Sequence, residues 1–260
     1  KSITEVVDFF GMPDMILADS LYNITGAVDI DVVKANIMGD FYYGMAEKHL
    51  IMHIACFERY DVLFGVCNSA VRLAKEYLPD KKCIFWPWSV DTNFFRNYDR
   101  DRPIDVFFGA AVQSSLYGPD RRLIQHMLIE MYKEGLNVRP RAKIYFGEYV
   151  DLINASKIAI SNNSKHGFMP KKVLEIMACG ALLLTDRCEE FDMIGIEDGK
   201  HVVIYDDLDD LREKIYYYLK NDSEREEIAS EGCDLVTSEF NMRTAAHNMV
   251  EILSDVNINS

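Results

Sequence analysis

Short apolar runs separated by helix-length stretches recur along this chain, and that alternation limits the folds open to it. The runs 14–18 (DMILA), 35–38 (ANIM), 61–66 (DVLFGV) and 83–86 (CIFW) are each four to six residues long, the length of a strand buried on both faces. Residues 42–60 and 69–77 are long enough for helices, and Asn68 or Ser69 stands where a helix cap is needed. Strand, helix and strand at this spacing predict an α/β fold with parallel strands. Residues 87–104, with Pro87, Pro103 and a cluster of charges, break the rhythm and read as a linker.

The rhythm then restarts. Strands are predicted at 104–109, 142–146, 158–160, 181–185 and 201–205. Helices are predicted at 120–134, stopped by Gly135, at 149–155, and at 170–178, closed by Gly180. Three more follow at 208–219, 224–237 and 242–253. This second part reads as a complete open α/β domain, whereas the first, with its few strands, is thin for a free-standing Rossmann-like domain. The chain opens on Lys1 inside a helical pattern, so it is expected to be a fragment or a processed form.

Charge narrows the partners. With 28 basic and 42 acidic side chains, the net charge is −14, which argues against a nucleic-acid surface. No uninterrupted apolar run reaches the roughly 18 residues of a membrane span. A peripheral membrane contact stays open, although the first part shows no obvious basic amphipathic patch. The six cysteines are scattered without a CxxC pair. That pattern suits buried thiols in a reducing compartment, hence a cytoplasmic location, and gives no basis for a metal site.

Against the acidic background, Lys165, His166, Lys171 and Lys172 crowd into eight residues, a local focus that suits an anionic ligand. In an open α/β sheet, ligands bind beyond the carboxyl ends of the strands. Gly109 and Ala110 follow the strand 104–109, where small residues allow backbone N–H groups close to an oxyanion; an ordinary loop is the alternative. The start of the helix behind Ser161–Lys172 is a second anion site. Glu175, in its first turn, either complements the helix dipole or accepts hydroxyl bonds from a ribose. Glu189 and Glu190 either reach the cleft or cap the following turn. His49 and His53 share a helix face, a spacing that holds a metal only with further ligands. Either could instead carry a proton or orient backbone at a cleft. Trp86 and Trp88 read as packing at the junction or as a stacking surface.

Residues 171–186 (KKVLEIMACGALLLTD) resemble the donor-site helix and following strand of GT-B glycosyltransferases, in particular family 4 retaining enzymes and relatives of the spore maturation protein CgeB. The linker 86–94 (WPWSVDTNF), the strand 105–109 (DVFFG), the stretch 151–160 (DLINASKIAI) and the closing segment around 238–240 (SEF) resemble the family in the same order. The resemblance implies a GT-B-like fold, two Rossmann-like domains with a cleft between them, the first incomplete. Residues 1–88 would be the acceptor-side domain, 89–104 the linker, 105–239 the donor-binding domain and 240–260 a C-terminal helix.

By the same resemblance the activity is that of a hexosyltransferase, retaining and independent of metal. It would move a sugar from a nucleoside diphosphate donor, of UDP or GDP type, to a hydroxyl on a glycan, lipid or protein. No further cofactor is implied. Glu175 would hold the donor ribose, and Lys172 the diphosphate with Lys171, the Gly109–Ala110 backbone and Arg121. The base would lie near residues 145–149. His166, His53 and Asp40 are the candidates for the reacting centre. The family usually carries a second glutamate eight residues before the ribose glutamate; here that position is Gly167. This departure motivates an alternative, a GT-B-like module that binds a nucleotide sugar or a protein without turnover. An NAD enzyme on a doubly wound fold is a third reading, disfavoured because GxGxxG is absent.

Overall fold

The computed structural model describes residues 7–8, 11–19, 30–39, 41, 47–110, 120–141, 144–163 and 167–256. The chain divides into two units: Lys1–Pro87 with Ala246–Ser260, and Trp88–Ala245.

The first unit carries a four-stranded parallel sheet in the order β1 (Met15–Asp19), β2 (Val33–Met38), β3 (Val62–Gly65), β4 (Lys82–Phe85). Its crossovers include α1 (Glu47–Phe57) and α2 (Asn68–Tyr77). The residue that caps α2 is Cys67, which offers no side-chain cap bond, so the cap lies one residue before the predicted pair. The C-terminal helix, Met242–Ser254, lays Met249 and Leu253 on Val33, Ala35, Val62 and Phe64, burying a sheet face. Trp86 packs in this cluster, its ring 5.2 Å from that of Phe64. Trp88 packs on the core of the second unit.

The second unit holds five parallel strands in the order β6-β5-β7-β8-β9. These are β5 (Ile104–Gly109), β6 (Val138–Arg141), β7 (Ser156–Ile160), β8 (Leu182–Thr185) and β9 (Val203–Ile204). Its helices are α3 (Asp120–Lys133), α4 (Phe146–Asn154), α5 (Lys172–Ala178), α6 (Glu189–Ile194), α7 (Leu208–Lys220) and α8 (Asp222–Glu239); α9 (Met242–Ser254) belongs from Ala246 onward to the first unit. Side-chain alternation splits the core into two layers. Phe107, Ala159 and Leu183 face one cluster with α5, and Phe108, Ile160 and Leu184 face the other with α3 and α7.

Two local expectations are corrected, and one helix is added. The strand predicted at 142–146 lies at Val138–Arg141. It is an edge strand, so Pro140, which cannot donate to a ladder, is tolerated there. The strand predicted at 201–205 shrinks to two residues at the opposite edge. Helix α6, one and a half turns long, has too few residues to show a period.

Gly232 on α8 lets that helix touch the loop before β9: an added Cβ would stand 2.4 Å from the His201 carbonyl oxygen. Backbone cannot swing aside as a side-chain tip can. Gly232→Ala is therefore expected to cost about 2–3 kcal/mol, read as a lower urea midpoint.

Candidate functional site

The strand order of the second unit reverses at β5, because β6 lies on one side of it and β7 on the other. The crevice beyond the carboxyl ends of β5 and β7 is the ligand position that this topology creates. Four of the residues singled out from the sequence meet there: Gly109, Arg121, Lys172 and Glu175.

Gly109 ends β5. An added Cβ would stand 2.6 Å from the Phe107 ring and 3.0 Å from the Tyr149 ring, so a larger residue would force those rings out of place. Its carbonyl accepts a hydrogen bond from Lys172 Nζ. Ala110 follows, almost fully buried. Arg121 lies in the first turn of α3, 2% exposed, and its Nε donates to Asn162 Oδ1 at 2.8 Å. Asn162 and Asn163 follow β7 and are fixed from the next strand: Asn163 N donates to Asp186 Oδ1 at 2.7 Å, and its Nδ2 to the Arg187 carbonyl at 2.8 Å.

Lys172 opens α5. Burial lowers its ammonium to a pKa of about 8, aided by neighbouring Arg121 and opposed by Glu175. Two cations, one of them nearly fully buried, share this pocket. A dianion placed between them would relieve their repulsion. Helix α5 is only seven residues long, so its dipole adds little and the side chains carry the charge. Burial pushes the Glu175 carboxyl up, while Lys171, Lys172 and the Tyr149 hydroxyl hold it down. Gly167 precedes the helix with φ +78. Its carbonyl accepts from Cys188 Sγ at 3.3 Å, and the same thiol meets the buried carboxylate of Glu190.

His53 belongs to the first unit. It is 5% exposed, its ring lies 5.5 Å from Phe41 and 5.6 Å from Phe57, and its Nδ1 meets the His49 carbonyl at 2.7 Å. His166 and Asp40 lie outside the described residues. Asn162, Asn163 and Cys188 join the site without being named by the sequence; Glu190 joins it as a residue expected at the cleft or the following turn, and Tyr149 ends the stretch 145–149 expected beside the base. The run SNN after an apolar strand is the local signal for Asn162 and Asn163. None of the six cysteines is in a disulfide. No helix among the described residues is long and apolar enough to cross a membrane.

A family model described as glycosyl transferase-like matches residues 105–251. No curated protein matches the sequence. Among solved structures, HepE of Anabaena in complex with UDP and glucose is similar at TM-score 0.70 and 14% identity, over 98% of this chain and 81% of that one. A glycosyltransferase from Rickettsia africae ESF-5 is similar at TM-score 0.69 and 13% identity, over 99% and 80%. Sucrose-phosphate synthase from Thermosynechococcus elongatus is similar at TM-score 0.68 and 14% identity, over 97% and 75%. At these identities the likeness shows the fold: GT-B-like, with two Rossmann-like units.

Proposed function

The chain belongs to the glycosyl transferase-like family, and on that premise we propose a retaining, metal-independent hexosyltransferase that takes its sugar from a nucleoside diphosphate donor. One observation carries the donor assignment: Gly109, Arg121, Lys172 and Glu175 converge at the switch point of the second unit's sheet. In this reading Lys172, Lys171 and Arg121 meet the diphosphate, with the Gly109–Ala110 backbone alongside. Glu175 accepts the ribose hydroxyls, and the base lies against residues 145–149. When the glycosidic bond breaks, negative charge grows on the departing diphosphate, and fixed cations in a partly dry pocket stabilise it without reorganising. His166, His53 and Asp40 remain the proposed candidates for the reacting centre, residues 1–88 the acceptor side and 105–239 the donor side. The retaining outcome, the absence of a metal and the kinship with CgeB-like proteins rest on the resemblance of residues 171–186. A UDP or GDP type donor, a glycan, lipid or protein acceptor and a cytoplasmic location complete the proposal.

The test is titration of the protein with UDP, GDP, ADP and TDP, followed by incubation with the matching nucleotide sugar and assay of released or transferred sugar. Binding and turnover of one donor are expected; a folded protein that binds none removes the assignment. The second reading, binding without turnover, is favoured by Gly167, whose left-handed φ of +78 suits glycine better than the glutamate usual there. It predicts tight diphosphate binding with no sugar released.

Lys172 sets a pH dependence. Its ammonium is charged below pH 8 and becomes neutral as pH rises through about 8. A bound diphosphate favours the charged form, so binding above pH 8 takes up a proton. UDP affinity is expected to be flat from pH 6 to 7 and to fall by up to about tenfold per pH unit above 8. Calorimetry in buffers of different ionisation enthalpy measures both effects.

A further inference from the structure

Tyr149 is a polar side chain of this pocket that diphosphate chemistry leaves unused. Helix α4 sets its ring 6.2 Å from Phe95 and 5.9 Å from Phe107, and the missing Cβ of Gly109 leaves room for its edge. The ring packs on the cluster to which α5 contributes Val173, Leu174, Ile176 and Met177. Its hydroxyl is buried and closes no hydrogen bond among the described residues. The Glu175 carboxylate stands within reach of it, and each group feels the other as a hydrogen-bond partner, although the geometry falls short of a fully formed bond. An unsatisfied buried hydroxyl destabilises a fold. Phenylalanine would fill the same space without that cost, so packing alone gives no reason for the oxygen.

We propose that Tyr149 is a positioning residue for Glu175: when a ribonucleoside diphosphate binds, the phenol donates to one carboxylate oxygen and leaves the other to accept from the ribose hydroxyls. The inference rests on the donor-site reading and adds to it a discrimination between ribose and deoxyribose. The hydrogen bonds balance. A carboxylate accepts at both oxygens, a phenol donates once, and the ribose hydroxyls supply the remaining donors. No proton changes owner. Burial and the nearby carboxylate raise the phenol far above its ordinary range, so it stays a neutral donor at working pH. Contacts that are loose in a free site commonly tighten when the ligand arrives.

Tyr149→Phe separates this role from a structural one. The variant is expected to melt at the same temperature as the wild type or higher. Calorimetry should show UDP binding about tenfold weaker, as for one lost charge-assisted bond. Binding of 2′-deoxy-UDP, which keeps only one of the two hydroxyl donors, should fall by less, so the preference for UDP shrinks. On a Glu175→Gln background the tyrosine substitution should have no further effect. Wild-type UDP affinity in Tyr149→Phe, an equal loss for UDP and 2′-deoxy-UDP, or a lowered melting temperature would each overturn the proposal. A wild-type protein that binds neither nucleotide overturns the donor-site reading itself, a result distinct from these.

Discussion

Lys172→Ala is expected to weaken UDP binding by about two orders of magnitude, close to the upper end for a charge-assisted hydrogen bond in a partly dry site. The reason lies in the company Lys172 keeps. Its ammonium is mostly withdrawn from water, rests on the Gly109 carbonyl and lies beside Arg121. A diphosphate that enters meets a cation already positioned and poorly hydrated, so little is lost in stripping water from it. Lys171, the residue just before the helix, should matter less, with roughly a threefold loss on truncation to alanine, as for a more exposed ion pair. Lys172→Arg keeps the charge and should recover part of the affinity. It should also abolish the fall in binding above pH 8, because a guanidinium does not titrate there. An unchanged UDP affinity in Lys172→Ala would place the diphosphate elsewhere.

The largest loss of stability is expected from Arg102→Ala, on the order of 3–4 kcal/mol. Arg102 sits in the segment before β5, at the end of the sheet opposite the pocket. One guanidinium nitrogen donates to the Ser156 carbonyl at 2.8 Å and the Ile153 carbonyl at 3.2 Å. The other donates to the Cys179 carbonyl at 2.8 Å and to Asn97 Oδ1 at 3.2 Å. These acceptors terminate α4, open β7 and terminate α5, so a single fork ties three elements together. Gly180, with φ +67, makes room for it: a Cβ there would stand 3.2 Å from the guanidinium. Truncation leaves three main-chain carbonyls without their donor. Arg102→Lys, a point charge in place of a fork, should restore less than half of the loss. Urea unfolding measures both; a midpoint for Arg102→Ala equal to the wild type would contradict this account.

Much of the second unit was legible because its central strands are buried on both faces and therefore read as plain apolar runs. IDVFFG and ALLLT were placed to within a residue of β5 and β8. The edges were not legible. An edge strand is half satisfied by solvent, so VRPR can form β6 with little apolar content. The charged and glycine members of the site, Lys172, Glu175 and Gly109, stood out because their chemistry is unusual in their local sequence. Their supports did not. The bond from Arg121 to Asn162 spans 41 residues, and that from Cys188 to Gly167 spans 21. No local pattern encodes such pairs. Tyr149 stood out only as the end of the stretch 145–149 expected beside the base; its packing on the core and its hydroxyl beside Glu175 come from the fold. In the first unit, His53 drew attention as a titratable residue on a helix face, whereas its ring is occupied by two phenylalanines.

The central claim is that a nucleoside diphosphate binds at the switch point of the second unit's sheet. Amide hydrogen exchange with and without saturating UDP tests it most directly, because it reports place as well as binding. Protection is expected in peptides covering residues 107–110, 145–150 and 161–175, with the 222–239 helix unchanged. Protection confined to other segments, or exchange unaltered throughout a folded protein, would contradict the claim.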